Sequence, residues 1–235
     1  MKYLLTIPFI LIVFCLHPLH GKENEQSDAP KNKPSIKAIA PGVLELERIV
    51  LDTNKKEVRF PAVVNQVTQL IEYAIVHENG KTHESLLRTD ISPFRLQTLL
   101  ILANANKYVE RLPEFNSDGR EVPPSTPRPK HRIQIFVKDL RPEAKDASPI
   151  PLSSWIHNAE TGKSMHGEPW MYTGSRIFDG KYVAELEGDI VAVFLNSNAM
   201  FNSWIPGNNN DELWIPAPKI VPPLESPVEV ILKLP

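Results

Sequence analysis

Along most of this chain apolar residues either alternate with polar ones or come in short unbroken runs, punctuated by Gly, Pro, Asn and Asp. The three-and-four spacing of an amphipathic helix shows clearly only once, which makes strands the dominant expectation. Val43 to Asp52 (VLELERIVLD) and Glu57 to Val64 (EVRFPAVV) read as strands, with Pro61 marking a bulge or an edge. Ile133 to Val137 is another, and Val228 to Leu234 supplies a closing strand. Trp170 to Ile177, Lys181 to Leu186 and Asp189 to Leu195 read as a three-stranded meander turned at Asp179-Gly180 and Glu187-Gly188. The helix follows Asp90-Ile91-Ser92-Pro93. Ser92 suits the N-cap and Pro93 the first helical position, and Leu96, Leu99, Leu100, Leu102 and Ala103 form one stripe. Ser153 or Ser154 opens a shorter helix over Trp155 to Glu160.

Between Leu70 and Leu86, two β-rich runs flank Asn79-Gly80, a dipeptide suited to a tight hairpin turn. If Glu78 opposes Lys81 across that hairpin, Ile71, Tyr73, Ile75 and Leu86 share the core face with Glu84. Glu84 then pairs with His77 or Arg88, or lies at the sheet margin. With strands outnumbering helices and no βαβ rhythm, the expected class is α+β: a mainly antiparallel β-sheet domain with one long helix and long Pro-rich loops.

The ends and loops add organisation. Lys2 and the apolar stretch Tyr3 to Leu16 read as a signal peptide over residues 1–21, so the protein is expected to be exported, to the periplasm or outside the cell. Retention of this segment as an anchor is the alternative, but Pro8 interrupts it and it is shorter than a membrane-spanning helix. Bulky Phe14 precedes Cys15 where a lipid-attachment signal wants a small residue. Residues 22–41 are polar and charged and read as a flexible tether. Residues 42–235 then form a single domain, interrupted by a Pro-rich loop at 111–132. Cys15 is the only cysteine, so a chain cleaved after the signal holds no disulfide, thiolate nucleophile or iron–sulfur cluster. A formal charge of −2 leaves no electrostatic footprint for nucleic acid.

Two blocks resemble the YdjY domain family of uncharacterised bacterial exported proteins. One is the IEY…GKTHESLL…SP…L…LL pattern of Leu70 to Ala103. The other runs from Pro169 to Pro235 and holds Pro169, Trp170, Tyr172, Gly174 and Ser175, AELEGDIVAVF, and a late W…P…P…SPV-V pattern; Trp155 and Glu160 to Lys163 extend the match. The resemblance implies a fold across most of the mature chain and carries no established reaction. Some relatives stand beside iron–sulfur or redox segments, from which a cysteine-free mature chain departs.

Three chemistries are open. His77, His83 and Glu84 offer metal-ligand types near one hairpin end, but strand parity turns His83 away from the other two; His157, Glu160, His166 and Glu168 have no standard ligand spacing, and no metal is expected. A hydrolase could use Ser85 or Ser175 with His83 or His166 as base, though Gly174-Ser175-Arg176 lacks the G-x-S-x-G elbow. His83, Glu84 and Ser175 are its candidate catalytic residues. Trp155, Trp170, Tyr172, Trp204 and Trp214 could stack on a saccharide or peptide; Trp170 reads as core, leaving Trp204 and Trp214 as candidate ligand-binding aromatics. The reading that follows is a noncatalytic binding or assembly module without cofactor, its partner an envelope protein or a saccharide, with no nucleic acid and no membrane span after cleavage. The alternative is a metal-dependent or serine hydrolase acting on cell-envelope material.

Overall fold

The apolar runs form strands, but the strands close on themselves. The computed structural model describes residues 35–105, 107, 114–115, 121–122, 131–165, 167 and 169–235. The expected signal segment, residues 22–34 of the expected tether, most of the Pro-rich loop, His166 and Glu168 lie outside them. In chain order the strands and helices are β1 (Lys37–Ala40), β2 (Val43–Leu46), β3 (Ile49–Asp52), β4 (Glu57–Val64), β5 (Tyr73–His77), β6 (Ser85–Thr89), α1 (Pro93–Leu102), β7 (Glu114–Phe115), β8 (Glu121–Val122), β9 (Arg132–Asp139), β10 (Ile150–Pro151), β11 (Ile156–Asn158), β12 (Trp170–Tyr172), β13 (Ile177–Phe178), β14 (Lys181–Tyr182), α2 (Val183–Glu187), β15 (Asp189–Ala192), β16 (Phe201–Ser203), β17 (Trp214–Pro216) and β18 (Pro227–Lys233).

Eight of these strands form a closed barrel in the order β4-β18-β9-β12-β16-β15-β5-β6, and β6 returns to β4 through Val63↔Arg88 and Val64↔Leu87. This corrects the expected α+β class, a mainly antiparallel β-sheet domain with one long helix: the fold is mostly β, a closed barrel with extra strands and little helix. The meander β1-β2-β3 branches from the edge of β4 that β6 also uses, with β3 pairing Glu57 to Arg59. Pro61 sits at the step between those two partners, where a missing N–H costs least, and its carbonyl accepts the Thr89 hydroxyl at 2.6 Å. Alternation fixes the inward face: Val58, Phe60, Ala62 and Val64 of β4, Ile133, Ile135 and Val137 of β9, and Val228, Val230 and Leu232 of β18 are all buried in one core with Leu96, Leu99 and Leu100 of α1. Strand β1 forms the end of the stretch read as tether.

Two short returns give the barrel its mixed character. The expected Asn79-Gly80 hairpin does not form: β5 and β6 run parallel, with Tyr73 beside Ser85 and Ile75 beside Leu87, and one 3-10 turn at Thr82–Glu84 carries the chain back. β15 and β16 are likewise parallel, joined by residues 193–200. The sequence pattern explains this. Tyr73 to Val76 and Ser85 to Leu87 are buried without alternation, as strands covered on both faces must be, and a hairpin with one wet face would expose half of them. Gly80 serves close approach instead of turn dihedrals: a Cβ there would lie 2.8 Å from the Glu187 carbonyl oxygen and 3.3 Å from the Gly188 Cα.

The helices are short, and only one of them lies where it was expected. α1 spans 10 residues, its N-cap Ser92 Oγ accepting the Arg95 N–H at 3.2 Å with Pro93 in the first position. The helix expected over Trp155 to Glu160 is a 3-10 turn, Leu152–Trp155, followed by β11. The strand expected over Lys181 to Leu186 divides into β14 and α2, and the one over Trp170 to Ile177 breaks where Gly174 and Ser175 turn left-handed (φ 70° and 54°).

Candidate functional site

The residues singled out from the sequence do not assemble. His83 and Glu84 are neighbours on the 3-10 turn, Nε2 3.7 Å from Oε2, with the His83 side chain 78% exposed. His77 turns to its own loop, its Nδ1 accepting the Asn79 N–H at 3.1 Å. Ser175 is buried and its hydroxyl is committed: it donates to the Asn198 carbonyl at 2.5 Å and accepts the Ala184 N–H at 3.1 Å, while Lys107 Nζ donates to the Ser175 carbonyl at 2.9 Å. Ser175 therefore ties the start of α2 to the β15–β16 connection, with neither His83 nor Glu84 among these partners. Trp214 corrects the reading of it as a surface aromatic: it is buried in the core, and its indole N–H donates to the Gly207 carbonyl at 3.2 Å. Trp204 is half-buried. Among the described residues no three His, Cys, Asp or Glu side chains gather as metal ligands would.

A different cluster, missed from the sequence, lies where the two parallel returns meet. Asp189 starts β15 and is fully buried beside Val76 of β5. Its Oδ2 accepts from Asn196 Nδ2 at 2.7 Å, Lys81 Nζ at 3.4 Å and the Tyr73 hydroxyl at 3.4 Å. The Tyr73 oxygen in turn accepts from Lys81 Nζ and Asn196 Nδ2, both at 2.7 Å, and the ammonium also sits 4.9 Å from the Tyr73 ring centroid. Tyr73 packs with Val76, Ala192 and Ala199 in a small apolar cluster of its own. Asn196 is fixed from behind, its N–H donating to Asn202 Oδ1 at 2.8 Å while Asn202 Nδ2 donates to Thr173 Oγ1 at 2.9 Å.

The electrostatics of this cluster keep Tyr73 and Lys81 protonated. Burial, reinforced by the Asp189 charge, pushes the Tyr73 phenol up to about 12. Burial works against the Lys81 ammonium, but its hydrogen bond to Tyr73 and the Asp189 charge outweigh it and hold Lys81 above the usual lysine range. Burial raises Asp189, and the Lys81 charge opposes that rise. For the pair, the direction that governs is the charged lysine, 40% exposed at its side chain and bound on its inner side to phenol and carboxylate. A neutral phenol and a fixed ammonium supply neither base nor nucleophile at neutral pH. What they do supply is a fastening, because Lys81 comes from one return and Asn196 from the other, and both end on Asp189. The signal in the sequence was a lone aspartate opening a strand of otherwise apolar residues, DIVAVFL.

The second unusual feature is exposed. In the hairpin β13–β14, Ile177 is 74% and Phe178 69% exposed, the two most exposed large apolar side chains among the described residues. The base below them is firm. Tyr182 pairs with Ile177 across the hairpin and meets the ring of Phe94 edge-on at 6.2 Å. Tyr182 and Tyr172 both donate to Gln97 Oε1, at 3.2 and 2.7 Å. Glu185 of α2 accepts from Ser92 Oγ at 2.8 Å and from the Phe94 N–H at 2.9 Å, which locks α2 to the first turn of α1. The guanidinium of Arg176 lies 6.0 Å from the Phe178 centroid. Phe94, itself 56% exposed, extends the apolar face onto α1. Adjacent Ile-Phe in a two-residue strand puts large apolar groups on opposite sides of a ribbon with no third strand over it among the described residues, where the expected three-stranded meander would have covered Ile177.

No protein-family model, no curated protein and no solved structure matches this chain.

Proposed function

We propose that this protein is an exported, noncatalytic binding or assembly module whose working surface is the β13–β14 hairpin with the first turn of α1. The observation that carries this reading is the pairing of a rigid, hydrogen-bonded base with an uncovered apolar tip: Ile177 and Phe178 are left in solvent by a fold that buries nearly every other large apolar side chain of its strands. Export rests on Lys2 and the apolar run Tyr3 to Leu16, and the resemblance to the YdjY domain family is part of the same proposal, contributing no reaction. One feature supports binding over hydrolysis at Ser175: its hydroxyl is committed to backbone groups.

The test is site-specific photo-crosslinking in intact cells. A photoreactive residue at position 178 is expected to give adducts with another envelope component that the same residue at position 224, where Leu224 is 54% exposed, does not give. Equal labelling from both positions, or none from 178, contradicts the reading.

A further inference from the structure

We infer that the β13–β14 hairpin is an interfacial membrane anchor whose partner is a lipid surface with anionic headgroups. This rests on the reading of the hairpin as the working surface and names what it binds. The first argument is shape. Ile177 and Phe178 are consecutive in a strand, so they project to opposite sides of the ribbon, and both are exposed. One flat protein surface covers one side of such a ribbon; a fluid interface surrounds both.

The second argument is reach. At about 3.4 Å per residue, Ile177 to Asp179 extends about 7 Å, which matches the depth of roughly 5–10 Å at which interfacial elements sit in the headgroup and acyl boundary. The turn leaves room around it: a Cβ built on Gly180 meets nothing within 4 Å.

The third argument is charge. Arg176 precedes the apolar pair with its guanidinium against Phe178, and Lys181 is the cross-strand partner of Phe178 and exposed. The Arg176 Nε donates to Asn198 Oδ1 at 2.7 Å while the residue stays exposed, and both cations can keep their apolar stems at the boundary while their remaining donors meet lipid phosphates. The acids nearby are Asp179 at the apex, Glu185, which is occupied by Ser92 and Phe94, and Glu187, which accepts from Asn198 Nδ2 at 2.8 Å. Asp179 sets the depth: a carboxylate at the apex keeps the hairpin at headgroup level instead of in the acyl core. Two apolar side chains give weak, reversible attachment, of the order of a single acyl chain or less, so this contact works together with another tie to the envelope.

Co-sedimentation of the purified protein with vesicles tests the inference, using phosphatidylcholine alone and equal parts phosphatidylcholine and phosphatidylglycerol. Partition onto the mixed vesicles is expected, weakened about tenfold by Phe178→Asp and by Ile177→Asp. Asp179→Asn is expected to strengthen it, and Arg176→Glu to erase the preference for phosphatidylglycerol; unchanged circular dichroism and melting temperature show that each variant is folded. No partition onto either vesicle, partition indifferent to Phe178→Asp, or vesicle-free self-association abolished by Phe178→Asp would each overturn the inference. Failed partition alongside a protein adduct from position 178 in cells removes the lipid and leaves the working surface; loss of both removes both.

Discussion

The crossing of the two returns and the β13–β14 hairpin place unusual side chains in opposite settings. At the crossing a charge is buried: Asp189 has no exposed surface, its Oδ2 is balanced by the Lys81 ammonium and takes hydrogen bonds from Tyr73 and Asn196, and its Oδ1 has no hydrogen-bond partner among the described residues. At the hairpin, apolar groups are in water: Ile177 and Phe178 have solvent around them and a rigid base beneath. Each arrangement costs folding free energy if taken alone. The first is repaid in part within the chain, because Lys81 from one connection and Asn196 from the other both end on Asp189 and so fasten two connections too short to form regular parallel crossovers. The second finds no compensation within the described residues, and that asymmetry is why function is assigned to the hairpin and structure to the crossing.

The largest break in this contrast comes from Lys81→Met, which strands the Asp189 carboxylate. Removing one partner of a buried pair costs about 3–5 kcal/mol, and the partial exposure of Lys81 puts the expected loss toward or below the lower end. Its pH dependence is diagnostic. Burial already raises the folded-state pKa of Asp189 above the ordinary 3.8, and loss of the ammonium raises it further. A folded state that binds its proton more tightly than the unfolded chain loses stability as pH climbs. The deficit of Lys81→Met should therefore be smallest below about pH 4 and grow toward neutrality, read as the melting-temperature difference from wild type across that range. Replacing both partners, Lys81→Met with Asp189→Leu, should recover most of the loss, as apolar substitutes for buried pairs commonly do. A double variant no better than the single one would mean that the cluster does more than fasten.

Glycines sharpen the same contrast at smaller scale. Gly80→Ala should destabilise by about 1–3 kcal/mol through overpacking against the Glu187 carbonyl at 2.8 Å, whereas Gly180→Ala meets open space and should lose only the about 1 kcal/mol of a left-handed backbone, both measured by urea unfolding. The smallest effect belongs to Phe178→Asp, expected within about 0.5 kcal/mol of wild type because the side chain packs on little. A large loss there would make Phe178 part of the fold and remove it from the working surface.

Local rules were legible in the sequence, and long-range pairing was not. The Ser92 cap, the whole of β4 and the strands β9 and β18 followed from propensity and period, since each is decided by neighbours in the chain. The barrel was hidden because closure depends on one pairing, β6 with β4, that leaves no local trace. Asn79-Gly80 misled for a physical reason: the same dipeptide suits a hairpin turn and a close backbone approach, and here Gly80 abuts Gly188, more than a hundred residues onward. That error put Lys81 in a strand, where the chain has a connection, and so concealed its reach to Asp189. His83, Glu84 and Ser175 were chosen for residue type, and type could not show that the Ser175 hydroxyl was already spent on backbone groups.

Amide hydrogen exchange of the full chain, free and with vesicles of equal parts phosphatidylcholine and phosphatidylglycerol, tests the central claim most directly. The account predicts added protection confined to Ile177–Tyr182 and the first turn of α1, with the crossing around Lys81 and Asp189 equally protected in both states. Protection appearing at the crossing or elsewhere while Ile177–Tyr182 stays unchanged would contradict it.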